Sequence, residues 1–262
     1  MKPIHTFVIC AYKSSPYLKL CIESCLSQDS VENGDSIVIL YTSTPNDRIR
    51  ELAYSFGIEV VSVSGGSIGR DWNNALSFVT TKYATIAHQD DIYLPNYGTA
   101  ILSAFEESQD TNLVFTDYIE NDGQNQPRPR NLNLKIKTIG LKLMSLFQNK
   151  TYQRRVYAFG NFICCPAVSY NLERLTDFQF DENLKMALDW DAWERIMKRP
   201  GRIKFIPYEL MYHRIHEDSE TTANTVDQNR ENEELMMFRR YWPKLIADLL
   251  MKFYVKNQKG NN

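Results

Sequence analysis

From Gly123 through Leu172 the chain contains no aspartate or glutamate, while Arg128, Arg130, Lys135, Lys137, Lys142, Lys150, Arg154 and Arg155 place eight cations in that window. The formal charge of all 262 residues is −2, so the remainder carries −10. The shortage of acid is local. Overall, 30 Lys+Arg face 32 Asp+Glu, and without a basic excess nucleic acid is not the expected partner. Disulfide and zinc frameworks are excluded too. Cys10, Cys21, Cys25, Cys164 and Cys165 are odd in number and form no CxxC pair, so they read as reduced thiols of a cytosolic protein. No run reaches the ~18 apolar residues of a spanning helix, and Met1–Phe7 lacks the apolar core of a signal peptide. The expected location is the cytoplasm, with the inner face of the cell membrane as an attachment surface.

The length allows one large domain or two small ones with a substantial core. Strands and helices alternate through the first half. Residues 6–11, 36–41 and 59–63 read as strands. Residues 15–28 read as a helix capped by Ser14 or Ser15, residues 47–56 as a second helix and 72–80 as a third. This rhythm predicts an α/β fold, a mostly parallel sheet flanked by helices on both faces. Such sheets bind ligands at the carboxyl ends of their strands.

One such end is the most informative. The apolar run 84–87 leads into His88-Gln89-Asp90-Asp91, and Pro95 stops extension. Paired carboxylates at a strand end suit Mg²⁺ or Mn²⁺, shared with the phosphates of a substrate. The competing reading is a strand-end turn, where aspartate is common.

The second half adds a helix from about Ala187, and a strand at 204–212 that runs into His213-Arg214-Ile215-His216. Inside the basic window Ile136, Ile139, Leu143, Met144 and Phe147 recur at helical spacing. They predict an amphipathic helix, set either on an anionic membrane or against the sheet with a solvated basic face. Leu235, Phe238, Trp242, Leu245, Leu249 and Phe253 make a closing apolar stripe for packing or a homodimer, with Pro243 starting a new helix and disorder expected from Asn257 onward.

These landmarks, taken together and in order, resemble a family-two glycosyltransferase of the GT-A (Rossmann-like) fold, of the bacterial surface-polysaccharide type. Val8–Tyr12 and Tyr17–Gln28 are similar to its first strand, substrate-binding turn and first helix. Gly66–Asn73 resembles its glycine-containing loop, and His88–Asp91 its Asp-x-Asp-Asp metal motif. Asp189–Arg195 looks like its catalytic helix and His213–His216 like its closing Tyr-Arg-x-His segment.

The resemblance implies inverting transfer from a nucleotide-diphosphate-sugar donor to a hydroxyl of a glycan or lipid-linked acceptor. It implies Asp189 as the catalytic base and Asp90, Asp91 and His216 as ligands of Mg²⁺ or Mn²⁺. Donor contacts fall to Ala11, Tyr12, Tyr41, Arg70, Asn73, Gln89, Asp90 and Arg214, with Arg214 gripping phosphate. Three positions depart from the pattern: Tyr41–Asp47 lacks the usual nucleotide-binding acid, leaving Tyr41 to stack on a base; His88 replaces the motif's first acid; and Leu188 replaces a glutamate.

The expected organisation is a donor half at 1–120, an acceptor-side and catalytic half of the same domain at 121–225, and a C-terminal helical extension at 226–262. Asp191 is the alternative base, turned away from Asp189 by about 100° per residue. The rival functions are a nucleotidyltransferase and a non-catalytic nucleotide-sugar-binding module.

Overall fold

The computed structural model describes residues 2–216 and 228–259. The chain runs β1 (His5–Ala11), α1 (Leu18–Leu26), α2 (Asp29–Glu32), β2 (Ser36–Thr42), α3 (Asp47–Phe56), β3 (Glu59–Ser62), α4 (Ile68–Ser77) and β4 (Tyr83–His88). There follow β5 (Ile92–Tyr93), α5 (Tyr97–Glu106), β6 (Thr111–Asn121), α6 (Leu132–Ser145), α7 (Lys150–Tyr157), β7 (Val168–Asn171), α8 (Leu188–Lys198), β8 (Arg202–Arg214), α9 (Gln228–Tyr241) and α10 (Lys244–Lys259). Eight strands form one sheet in the order β3-β2-β1-β4-β7-β6-β8-β5. β1, β2, β3 and β4 run parallel to one another, and β6 to β8; β7 is antiparallel to both β4 and β6, and β5 to β8. The sheet is thus mostly parallel and helix-flanked, as the sequence predicts.

Its strands are apolar on both faces because both faces are covered. Along β1, Val8 enters a layer with Ile39, Ile86 and Trp72, while Phe7 and Ile9 enter the opposite layer with Leu40, Ala87 and Ile101. Phe7, Val8 and Ile9 are fully buried, each contributing roughly 1.5–3 kcal/mol by leaving water. α1, α3 and α5 cover the Phe7 side, and α4, α8, α9 and α10 the Val8 side.

Local chemistry sets the helix ends. Asn46 caps α3 by accepting from Ile49 N at 3.1 Å, and Gly57 ends it at φ 65°. α4 begins four residues before the expected Trp72 because Ser67 accepts from Arg70 N at 3.2 Å. α1 has no side-chain cap; Ser15 Oγ instead accepts from Tyr17 N. Gly69 allows α4 to approach the later loop, since a Cβ there would lie 2.8 Å from Asp181 O.

Two apolar stripes divide differently from expectation. α6 packs inward through Leu134, Leu141 and Met144, whereas Ile136, Ile139, Leu143 and Phe147 are exposed. In the closing stripe Phe238 is buried, with Leu235 and Trp242 packed beside the core, but Leu245, Leu249 and Phe253 face outward. Pro243 separates the two sets, and the new helix continues through Lys259, past the disorder expected from Asn257. No helix among the described residues is long and apolar enough to cross a membrane. All five cysteines are unpaired.

Candidate functional site

β4 delivers His88 to the carboxyl edge of the sheet, and the chain then turns, with Asp91 N donating to His88 O at 3.1 Å. β5 returns antiparallel to β8, pairing Ile92 with Tyr212, so the end of β8 lies over the turn. Asp91 is fully buried there. Its Oδ1 accepts from Arg214 N at 2.9 Å and from His213 Nδ1 at 3.0 Å. His216 Nε2 donates to Asp90 Oδ2 at 2.9 Å. One carboxylate from the strand end is therefore tied to each histidine of the closing segment.

Two atoms remain over. His88 Nε2 and Asp91 Oδ2 are buried and have no hydrogen-bond partner, an arrangement that costs free energy unless a ligand completes it. Ligand atoms of His88, Asp90 and Asp91 all lie within 4.8 Å of one another. An imidazole nitrogen with two carboxylates is a donor set that fits a divalent cation. Burial lowers the pKa of His88, against the pull of Asp91 and Asp90, which leaves its nitrogen neutral and able to ligate. Burial pushes Asp90 up, but the His216 hydrogen bond and the charges of His88, His213 and His216 outweigh it and hold the carboxyl below its usual range. Burial likewise lowers His213, and the charge and hydrogen bond of Asp91 reverse that to a net rise. His88 also stacks on Trp72, with ring centroids 5.3 Å apart, which fixes the imidazole plane.

The second carboxylate lies at the start of α8. Asp189 is half-buried; its Oδ2 accepts from Asn161 Nδ2 at 2.7 Å and its Oδ1 from Trp190 N at 2.7 Å. Tyr157 on α7 donates to Asn161 Oδ1, which turns the amide so that its NH₂ meets the carboxylate. Burial raises the Asp189 pKa to about 6, with Asn161, the Trp190 amide and Lys137 opposing the rise. Glu233 of α9 accepts from Met186 N at 2.8 Å and Ala187 N at 2.9 Å, anchoring the segment that leads into Asp189. Burial raises the thiols of Cys164 and Cys165, and the charges of both Asp189 and Asp91 add to the rise, while Lys137 acts on both Asp189 and His213. The two acidic centres thus share Cys164 and Cys165 as electrostatic neighbours. Asp191 is instead committed to Arg195 and Arg240. It lines a separate concavity of about 500 Å³ with Glu194, Arg195, Lys198 and Arg240, whose charges largely pair with one another.

Several expected donor contacts are occupied within the protein. Tyr41 is 1% exposed. Its hydroxyl donates to Asp71 and accepts from Asn74, so its ring has no free face for a base. Arg214 is fully buried: it donates to Asp90 O at 2.8 Å, Asp122 O at 2.9 Å and Asn125, while its guanidinium covers Tyr17. It braces the Asp90–Asp91 turn and has no free fork for a phosphate. Asn73 exchanges hydrogen bonds with the Phe180 backbone. Arg70 pairs with Glu182 at 2.8 Å but stays half exposed. Gln89 clasps the Tyr12 backbone in both directions, joining the ends of β1 and β4; Ala11 is buried beneath, and the Tyr12 ring is exposed.

Asn161 and Tyr157 escaped the sequence reading, while His213 and Lys137 entered it only as parts of the closing segment and of the basic window. Their roles at Asp189 and Asp91 come from contacts across long stretches of chain.

The model of Glycosyl transferase family 2 matches residues 6–174. No curated protein sequence is significantly similar to the chain. Among solved structures it is similar to the mannosyltransferase PcManGT from Pyrobaculum calidifontis in complex with GDP-Man and Mn²⁺, at 13% identity and TM-score 0.67, covering 96% of this chain and 70% of that one. S. aureus TarS 1-349 in complex with UDP-GlcNAc is similar at 14% identity and TM-score 0.64, covering 97% and 72%. Glucosyl-3-phosphoglycerate synthase from Mycobacterium tuberculosis with Mn²⁺ and UDP-Glc is similar at 15% and 0.61, covering 92% and 80%. The chain spans 43% of the longer TarS structure. At these identities the likeness to solved structures is one of fold.

Proposed function

The chain belongs to glycosyl transferase family 2, and from that premise we propose that it transfers a sugar, with inversion, from a nucleotide-diphosphate-sugar to a hydroxyl of a glycan or lipid-linked acceptor in bacterial surface polysaccharide synthesis. The observation that carries the reading is Asp189, a carboxylate raised to about 6 by burial, oriented by Asn161 and sharing the Cys165 thiol with Asp91 as an electrostatic neighbour. A general base works best with a pKa near the operating pH.

His88, Asp90 and Asp91, with His216 beside them, would hold Mg²⁺ or Mn²⁺. When bound, the cation acts as a Lewis acid that neutralises charge growing on the leaving diphosphate. The remaining steps belong to side chains. Asp189 takes the proton of the acceptor hydroxyl as its oxygen bonds the anomeric carbon from the side opposite the diphosphate. The bond from that carbon to the diphosphate oxygen breaks, the configuration inverts, and the proton remains on Asp189 until solvent removes it. Lys137, whose charge reaches Asp189, favours the ionised base before the transfer.

A nucleotide-sugar panel with Mn²⁺ and glycan acceptors tests this directly. The expected product is free nucleoside diphosphate. Pyrophosphate would assign nucleotidyl transfer instead, and donor binding without any product across the panel would leave a binding module.

A further inference from the structure

We propose that α6 and the turn after it form a docking face for an anionic lipid surface. The geometry of one helix carries this. Leu132, Ile136, Ile139, Leu143 and Leu146 follow one another at helical spacing along its outer side, and Phe147 extends the row. Leu132 is 67% exposed, Ile139 56%, Leu146 64% and Phe147 60%. The opposite side of α6 is already buried through Leu134, Leu141 and Met144. The core therefore does not need the outer row, and a contiguous apolar strip facing water marks an interaction surface.

Charge names the occupant. Lys135 and Lys142 are exposed and lie along one margin of the row at 100° per residue, within a window from Gly123 to Leu172 that has no acid. A protein partner would be expected to meet charge of both signs. A bilayer of anionic headgroups over acyl chains matches an apolar strip edged by lysine. The other cations of this window differ in use: Arg130 pairs with Asp117 and Arg154 with Glu194, fixing α6 and α7 to the body of the protein. The inner flank of α6 carries Lys137, which donates to Tyr118 and acts on Asp189 and His213. A headgroup plane on the outer row would then lie about one helix diameter, roughly 10 Å, from the flank of α6 that carries Lys137. The docking itself does not depend on the transferase reading.

The test is co-sedimentation of the full chain with phosphatidylglycerol–phosphatidylcholine vesicles and with phosphatidylcholine alone. Binding is expected on the anionic vesicles and should weaken with salt, because the screening length falls from about 10 Å at 0.1 M to about 3 Å at 1 M. Lys135→Gln with Lys142→Gln should lower the partition coefficient roughly fivefold per lysine. Ile139→Ser, Leu143→Ser and Leu146→Ser together should abolish sedimentation while leaving the circular-dichroism melt unchanged, since all three side chains are exposed. Native protein that stays in solution, or serine variants that bind as the native does, would overturn the proposal. So would a vesicle-free dimer that the serine variants convert to monomer, which would assign the face to a second copy of the chain.

Discussion

The strand-end turn at Asp90–Asp91 and the first turn of α8 at Asp189 both remove carboxylates from water, yet they hold them in opposite states. Around the first, His213, His216 and the Arg214 amide supply donors, and Asp90 stays below the usual carboxylate range. Around the second, an amide from Asn161 and one backbone N–H are the close donors, and burial lifts Asp189 to about 6. Residue type is the same in both. The difference lies in whether cationic donors accompany the burial. A site that keeps its acid ionised suits a cation, whereas one that weakens it suits a proton.

The largest effect should follow from breaking the first region. Asp91→Asn keeps an oxygen for the Arg214 amide but removes the charge facing His213 and the unpartnered Oδ2. Folding should survive. Transfer should fall roughly 10⁴-fold or more, because the cation supplies several kcal/mol of transition-state charge stabilisation. Donor affinity in Mn²⁺, measured by calorimetry, should drop to the value found in EDTA. If affinity in Mn²⁺ stayed at the native value, the turn would not be the cation site.

How legible these regions were in the sequence differs for a physical reason. The strand end could be read because its parts are contiguous: an apolar run, two acids and a stop, with His216 recognisable in its own short segment. The span of α3 was legible too, since Asn46 and Gly57 mark its ends locally. Asn161 could not be found, because its role depends on the segment after α7 meeting the start of α8, 28 residues along the chain. Tyr41 and Arg214 look like ligand contacts in sequence, and only the packing of Asp71, Asn74, Asp122 and Asn125 around them commits them to partners inside the protein. On α6, periodicity found an apolar row but could not say which way it points, because the helix is apolar on two sides.

The second region sharpens the comparison through a gain and a loss together. Asp189→Asn should cut turnover by roughly 10²–10⁴-fold, the worth of a general base, with donor binding intact. It should also stabilise the protein. The folded pKa of about 6 lies above the ordinary 3.8, so the contribution of this one group is most favourable at low pH and is lost as pH rises from about 4 to 6. The full difference corresponds to about 3 kcal/mol, nearer ~2 once the solvent-facing edge of the half-buried side chain is allowed for. The variant, neutral throughout, should share the native melting temperature near pH 4 and exceed it above pH 6. The native rate should fall on the acid side with a midpoint near 6. A parallel pH dependence of melting in both proteins would show that Asp189 is not held protonated by burial.

The smallest effect on turnover should come two residues along, at Asp191, where burial is accompanied by cations as it is at the strand end. Its Oδ2 meets Arg195 at 2.8 Å and its Oδ1 meets Arg240 of α9. Asp191→Asn should leave the rate near native, because the proton acceptor and its Asn161 partner are untouched. Stability should fall instead. Removing one member of a buried pair costs ~3–5 kcal/mol, but these arginines are 36% and 31% exposed, so water can take over part of their pairing and a loss of ~1–3 kcal/mol is expected. That would appear as a lower melting temperature, ~2–4 °C for each kcal/mol in a chain of this size. It should be largest at low salt. α9 should also loosen where Glu233 meets the amides of Met186 and Ala187, detectable as faster hydrogen exchange there. A rate loss equal to that of Asp189→Asn, with melting unchanged, would exchange the roles of the two acids and make the ion-paired carboxylate the base.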